Sequence, residues 1–255
     1  MKNTINQPDS ELKYTVNKGA PQKHIMLWQL LTILRDNGFN LCPTDIEEKT
    51  IVEDYYDTRS MDLFKNGGFL KTRKVEMGET KNVEGSYKES STSKGEVKVP
   101  LKRAGFKYLR KAMNETDADI DFDMIVATPV LNVTTERIQV FLEKRGVLVS
   151  LCLDEIVYTN YKLDCYPVYD GMLEIKAKDD SKILDEINSI FLPPTSISRQ
   201  SPTQRPYKGY HRITPTKQSI YSRGINMTTE LSQEMLPKEG TYNNSVPACK
   251  LYHFN

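Results

Sequence analysis

Residues 9 to 16 read Asp9-Ser10-Glu11-Leu12-Lys13-Tyr14-Thr15-Val16, or DSELKYTV. On a β-strand, alternate side chains share a face. Asp9, Glu11 and Lys13 then point one way, and Ser10, Leu12 and Tyr14 the other. A solvated edge strand produces such a ladder, and so does a strand whose polar face looks into an enclosed space. The choice between them decides the fold, and it rests on the other strands.

The ladder recurs along the chain. Lys71 and Arg73 share a face of FLKTRKV, and Lys98 and Lys102 share one of EVKVPLK. Arg137 lies opposite Ile138, Val140 and Leu142 in RIQVFLE. Ser150, Cys152 and Asp154 lie opposite Val149, Leu151 and Leu153, and Glu174, Lys176 and Lys178 share a face of MLEIKAK. These ladders are short and often of one sign, unlike the mixed polar face of an open one-sided sheet. A closed sheet of about eight strands gives them a common destination, since its interior is just wide enough for side chains or one small ligand.

The apolar outer face of such a barrel needs cover. APQKHIMLWQLLTILRDNG supplies a helix with a stripe of Leu27, Leu31 and Leu34 with Trp28, stopped by Gly38. DDSKILDEINSIF supplies another, with Ile183, Leu184, Ile187 and Phe191 on one face. Asn66-Gly67 reads as a turn between two strand-like runs. MGETKNVEGSYKESSTSKG reads as a loop or a loosely held hairpin, and NETDADIDFDMIVATP as an acidic segment with a short helix as one option. The expected fold class is α+β, mainly antiparallel β: a closed eight-stranded barrel with a polar lumen and helices packed outside. Residues 1–213 form this domain. Residues 214–255 are rich in Ser, Thr, Asn and Pro and predict a flexible or loosely packed tail, with a short helix around TTELSQEML.

Bulk properties exclude several functions. Lys plus Arg is 35 and Asp plus Glu is 34, so no basic excess points to general nucleic-acid binding. No apolar run approaches the roughly 20 residues of a membrane span. The start MKNTINQPDSELK lacks the apolar core of a secretion signal. Cys42, Cys152, Cys165 and Cys249 are scattered and predict free thiols in a reducing, cytoplasmic setting. His24, His211 and His253 are too dispersed for a His-based metal site or a triad.

The chain resembles the CYTH superfamily, also called triphosphate tunnel metalloenzymes, over residues 9–213. The superfamily joins class IV adenylyl cyclases, thiamine triphosphatases and inorganic triphosphatases, with fungal-type RNA triphosphatases as relatives. Its opening E-x-E-x-K reads Asp9-Ser10-Glu11-Leu12-Lys13 here, with Asp for the first Glu. Its YYDT strand and LRxR segment match Tyr55-Tyr56-Asp57-Thr58 and Leu70-Lys71-Thr72-Arg73. A Lys and an Arg that follow align with Lys102 and Arg110, with Lys98 as the rival to Lys102. A later Arg and an LDE strand align with Arg137 and Leu153-Asp154-Glu155. An E-x-E strand reads Met172-Leu173-Glu174, so only its second acid is present. The closing R-G-Y region offers Arg205 or Lys208 before Gly209-Tyr210.

The resemblance implies metal-dependent hydrolysis of a triphosphate compound, inorganic or organic, inside a basic tunnel. Lys13, Lys71, Arg73, Lys102, Arg110, Arg137 and Arg205 are the implied phosphate ligands, Arg through paired donors and Lys as point charges. Asp9, Glu11, Asp154 and Glu174 are the implied oxygen ligands for Mg²⁺ or Mn²⁺. Glu11, Lys13, Arg137 and Asp154 are the implied catalytic set. The expected partner is a small triphosphate or polyphosphate, with no membrane, and nucleic acid enters only as an RNA 5′-triphosphate end. A polyphosphate- or nucleotide-binding module with weak catalysis and an adenylyl cyclase are the alternatives.

Overall fold

The computed structural model describes residues 10–17, 22–43, 46–92, 95–163, 165–177, 181–192 and 213–235. Asp9, Arg205, Lys208 and Cys249 lie outside the described residues. No helix among the described residues is long and apolar enough to cross a membrane.

The strands are β1 (Ser10–Val16), β2 (Asn40–Leu41), β3 (Glu47–Tyr56), β4 (Phe69–Met77), β5 (Thr80–Lys88), β6 (Val97–Pro100), β7 (Leu131–Lys144), β8 (Val147–Asn160), β9 (Val168–Ala177) and β10 (Ile213–Pro215). The helices are α1 (Lys23–Asp36), α2 (Asp62–Lys65), α3 (Phe106–Met113), α4 (Ser181–Phe191) and α5 (Ile220–Met235). Every ladder is antiparallel, and the path runs β10-β1-β9-β8-β7-β3-β4-β5-β6, with β2 added beside β7.

The antiparallel α+β expectation holds. The expected hydrogen-bonded closure and the strand number do not: among the described residues the sheet has 10 strands, and no ladder joins β6 to β10. Over the described residues the end strands span four and three positions, and each finishes in a proline, Pro100 and Pro215. Proline has no N–H to continue a ladder, which confines it to such edges.

Local chemistry sets the elements. β7 and β8 form a long hairpin closed by Arg145 (φ 54°) and Gly146 (φ 77°), between paired Lys144 and Val147. Positive φ at both loop residues matches the right-handed twist of the strands. Asn66-Gly67 does not make a hairpin. It ends α2, where Gly67, at φ 70°, donates its N–H to the Phe64 carbonyl. A left-handed glycine is the common helix stop. The segment read as a loop or loose hairpin contains β5, paired along its whole length by β4 and over Glu84–Tyr87 by β6.

The sheet has one face covered by helices in two places. On it, α1 and α4 bury Leu27, Leu31, Leu34, Leu184, Ile187 and Phe191 against Ile138, Val140, Leu151, Leu153, Leu173 and Ile175. Trp28 is not part of that stripe: it is 59% exposed, one helical step off the buried row. Further along the same face, α3 buries Leu109 and Met113 against Tyr56, Leu70 and Tyr87.

The opposite face is polar over most of its area and apolar at one end. There α5 seats Tyr221 and Ile225 on Tyr55, Leu131, Val133, Ile156, Tyr158 and Met172. A Cβ at Gly224 would come within 2.5 Å of the Tyr158 ring, so glycine is what lets this helix approach the strands. Where composition predicts a tail, residues 220–235 thus form an ordered, packed helix.

Candidate functional site

Register fixes which side chains share the polar face. In antiparallel ladders, directly paired residues point to the same side. Lys13 pairs with Glu174 and Glu11 with Lys176; Glu174 pairs with Cys152, and Arg137 with Asp154. Lys49 pairs with Arg137, Glu53 with Arg73, Lys71 with Ser86, and Ser86 with Lys98. One row of charge therefore crosses β1, β9, β8, β7, β3, β4, β5 and β6.

On the β1–β9–β8–β7 side the charges interlock. Lys13 Nζ stands 2.7 Å from Glu11 and 3.8 Å from Glu174. Lys176 Nζ stands 3.3 Å from Glu174. Arg137 donates Nε and Nη2 to the two Asp154 oxygens at 2.8 and 2.7 Å, and Nη2 also to Glu174 at 3.1 Å. The Arg137 and Asp154 side chains are 13% and 1% exposed.

Burial raises the Asp154 carboxyl; Arg137 pulls it down, and Glu174 adds to the rise. Burial acts against the Glu174 charge too, but Arg137, Lys176 and Lys13, with a hydrogen bond involving Glu11, hold its carboxyl below the usual glutamate value. Burial also raises the Cys152 thiol.

On the β3–β4 side the organising group is Glu53. It accepts from Lys71 Nζ at 2.8 Å and from the Tyr55 hydroxyl at 3.1 Å, with Arg73 Nη1 at 3.9 Å. Burial opposes its charge, yet Lys71, Arg73 and these hydrogen bonds keep its carboxyl below the usual value. The Arg73 charge also pulls the Asp154 carboxyl down, the weakest of the influences on it.

Of the sequence-predicted residues, the structure brings together Glu11, Lys13, Lys71, Arg73, Arg137, Asp154 and Glu174. It does not bring in Lys102 or Arg110. Lys102 is exposed in a bend beyond β6. Arg110 is on α3, over the opposite face, and pairs with Asp123 at 2.9 Å. Lys98 takes the place expected of Lys102.

The sequence reading missed Glu53, Ser86 and Lys49, which the register places on this face. Period-two spacing from Tyr55 and Lys71 would have found Glu53 and, through the ladders, Ser86.

The donor set bears on the expected metal. Among the described residues no three His, Cys, Asp or Glu side chains group closely enough to hold an ion. Asp154 gives both oxygens to Arg137. Glu11 and Glu174 are the carboxylates that converge. Two carboxylates fit Mg²⁺ in the way phosphoryl sites hold it, with water and phosphate oxygens completing the shell.

No protein-family model matches the chain, and no curated protein matches it. Solved structures do. The PH1819 protein from Pyrococcus horikoshii OT3 is 16% identical at a TM-score of 0.49, covering 87% of this chain and 99% of its own. HpAC1 from Hippeastrum, a proposed adenylyl cyclase described with a dominant triphosphatase activity, is 12% identical at a TM-score of 0.46, with 86% and 96% covered. A proposed adenylate cyclase from Bacillus halodurans is 18% identical at a TM-score of 0.44, with 77% and 94% covered.

Proposed function

We propose that this chain is a triphosphate tunnel protein of the CYTH type, with residues 1–213 as the tunnel domain, and that it hydrolyses a triphosphate compound with Mg²⁺ or Mn²⁺. The observation that carries this reading is the convergence of Lys13, Lys71, Arg73 and Arg137 with Glu11 and Glu174 on one sheet face.

A triphosphate is a thin, highly charged rod, and holding it takes cations from several strands at once. Arg137 keeps its guanidinium plane fixed by Asp154 and offers charge to phosphate oxygens. Lys13, Lys71 and Arg73 supply further contacts along the row. Glu11 and Glu174 would hold the metal ion, which would supply positive charge to offset that of the phosphates. Phosphoryl transfer asks mainly for positioning and charge stabilisation, and this face is equipped for both. α5 flanks this row, covering the same face of β7, β8 and β9 nearer one end of those strands.

A binding module without turnover has its own support. Asp154 is committed to Arg137, and Met172, at the position of the missing acid, is buried under α5.

The test is phosphate release from tripolyphosphate, thiamine triphosphate and nucleoside triphosphates with Mg²⁺ or Mn²⁺, with cyclic AMP from ATP assayed alongside. Release from at least one substrate, abolished in Glu11→Ala, is expected. Tight calorimetric binding without release supports the module, and cyclic AMP the cyclase. Neither binding nor release of any compound defeats the triphosphate reading.

A further inference from the structure

We propose that Glu53 is an internal counter-anion, a positioning residue that occupies Lys71 and Arg73 until a phosphate group takes its place. The idea rests on the triphosphate reading for the identity of the natural anion, but not for the existence of the site. Glu53 lies outside the motifs that carry the family resemblance.

Three observations converge on it. First, its side chain is 5% exposed and bonds Lys71, itself 12% exposed, at 2.8 Å. A lysine this buried needs a negative partner to stay charged and aimed. Second, Glu53 is held from behind. The Tyr55 hydroxyl donates to it, and the Tyr55 ring stacks on Tyr221 of α5 with centroids 4.5 Å apart and planes 5° from parallel. Third, the neighbouring donor is open. Ser86, paired with Lys71 on the same face and fully buried, has a hydroxyl with no hydrogen-bond partner among the described residues. Buried hydroxyls are seldom left so.

Lys71, Arg73 and Ser86 together present two charges and a hydroxyl donor, a set suited to a tetrahedral oxyanion. Among the described residues Glu53 is the carboxylate paired with both cations.

The consequence has a definite sign. Removing the Glu53 charge leaves the cations unbalanced, so anions bind more tightly, while Lys71 loses its fixed direction. Coulomb attraction at contact distance in a medium of effective dielectric about 20 is ample for a tightening of about tenfold.

The experiment uses the full chain. Melting temperature is followed against sulfate and inorganic phosphate at constant chloride, and tripolyphosphate binding is measured by calorimetry without metal. Glu53→Gln is expected to be stabilised far more by sulfate than the wild type and to bind tripolyphosphate about tenfold more tightly. If the wild type is an active hydrolase, KM and kcat should fall together. A purely structural Glu53 would lower the melting temperature equally in chloride and sulfate.

Glu53→Gln combined with Lys71→Gln should return the sulfate response to the wild-type level, and this variant folds without a buried unpaired lysine. A Glu53→Gln chain that folds only in sulfate also supports the idea. It is overturned if Glu53→Gln shows no added sulfate response, or if the double variant keeps it. Failure of tripolyphosphate to bind while the sulfate response appears defeats the triphosphate reading and leaves the counter-anion standing.

Discussion

Arg137→Ala removes the guanidinium that neutralises Asp154, and its cost can be worked from the geometry. The pair is bidentate at 2.8 and 2.7 Å. Removing one partner of a buried ion pair costs about 3–5 kcal/mol, because the other charge stays behind unpaired. Glu174 is not orphaned, since Lys176 remains at 3.3 Å and Lys13 at 3.8 Å. The loss therefore falls chiefly on Asp154.

Its pH dependence follows. Burial already raises the Asp154 carboxyl, and without Arg137 it rises further. The folded state then binds a proton more readily than the unfolded chain, so stability falls as pH rises through that interval. The penalty is full at neutral pH and shrinks as the medium is acidified toward the ordinary aspartate value of about 3.9. Urea unfolding at several pH values measures it. Arg137→Met with Asp154→Leu should regain most of the stability, since neither charge is left buried, while phosphate binding stays lost. A single-variant cost under about 1 kcal/mol, or a double variant no better than the single, would refute the reasoning.

Two further outcomes are expected. Lys98→Ala should weaken tripolyphosphate binding a few-fold and flatten its salt dependence, whereas Lys102→Ala and Arg110→Ala should leave both near wild type; calorimetry at two ionic strengths decides. Glu53 and Glu174 have folded values below the usual one, so the stability they add is present above about pH 4.3 and lost as pH falls through their folded values. Urea midpoints from neutral to acid pH should show a shallower acid-side loss in Glu53→Gln than in the wild type, and equal slopes would refute the assignment.

The strands and the shared face of Glu11, Lys13, Lys71, Arg73, Arg137, Asp154 and Glu174 were legible because polar and apolar residues alternate over Arg137–Val140, Val149–Asp154 and Leu173–Ala177, although the alternation changes phase near Glu136 in β7 and near Glu155 in β8. Lys102 misled for a local reason. It continues the parity of Lys98, but β6 stops at Pro100, and parity means nothing beyond a strand's end. Arg110 misled because α3 was not recognised, and a helix over the far face cannot deliver its residues to the site. Closure was over-read because alternation reports which face is buried, not whether two short proline-ended edges meet.

Glu53 escaped because an acid beside Asp54 in IVEDYY gives no ladder by itself; its meaning comes from Lys71 across the β3–β4 pair. α5 was foreseen only in part, as a short helix around TTELSQEML; its start, where Tyr221 and Ile225 keep helical spacing with Thr228 and all three are buried, was read as tail.

Met172 and α5 explain each other. Position 172 is on the same face as Glu174, and an acid there would extend the carboxylate row. Instead Met172 sits among Tyr221, Ile225, Ile156 and Tyr158. An ionised side chain at that point would be buried among these apolar groups and beside the Asp154 carboxylate, with which residue 172 is paired, and this is unfavourable. One step further along β9, Asp170 is also taken: Arg223 of α5 holds it at 2.7 and 2.8 Å, and Tyr158 donates to it. The helix therefore converts what would be two more open positions into an apolar seat and a closed ion pair. The carboxylates left for chemistry are Glu11 and Glu174, next to Lys13. β1 is then the strand on which Glu11 and Lys13, the groups proposed to hold the metal and the phosphate, stand side by side, while α5 covers Met172 and pairs with Asp170 on β9.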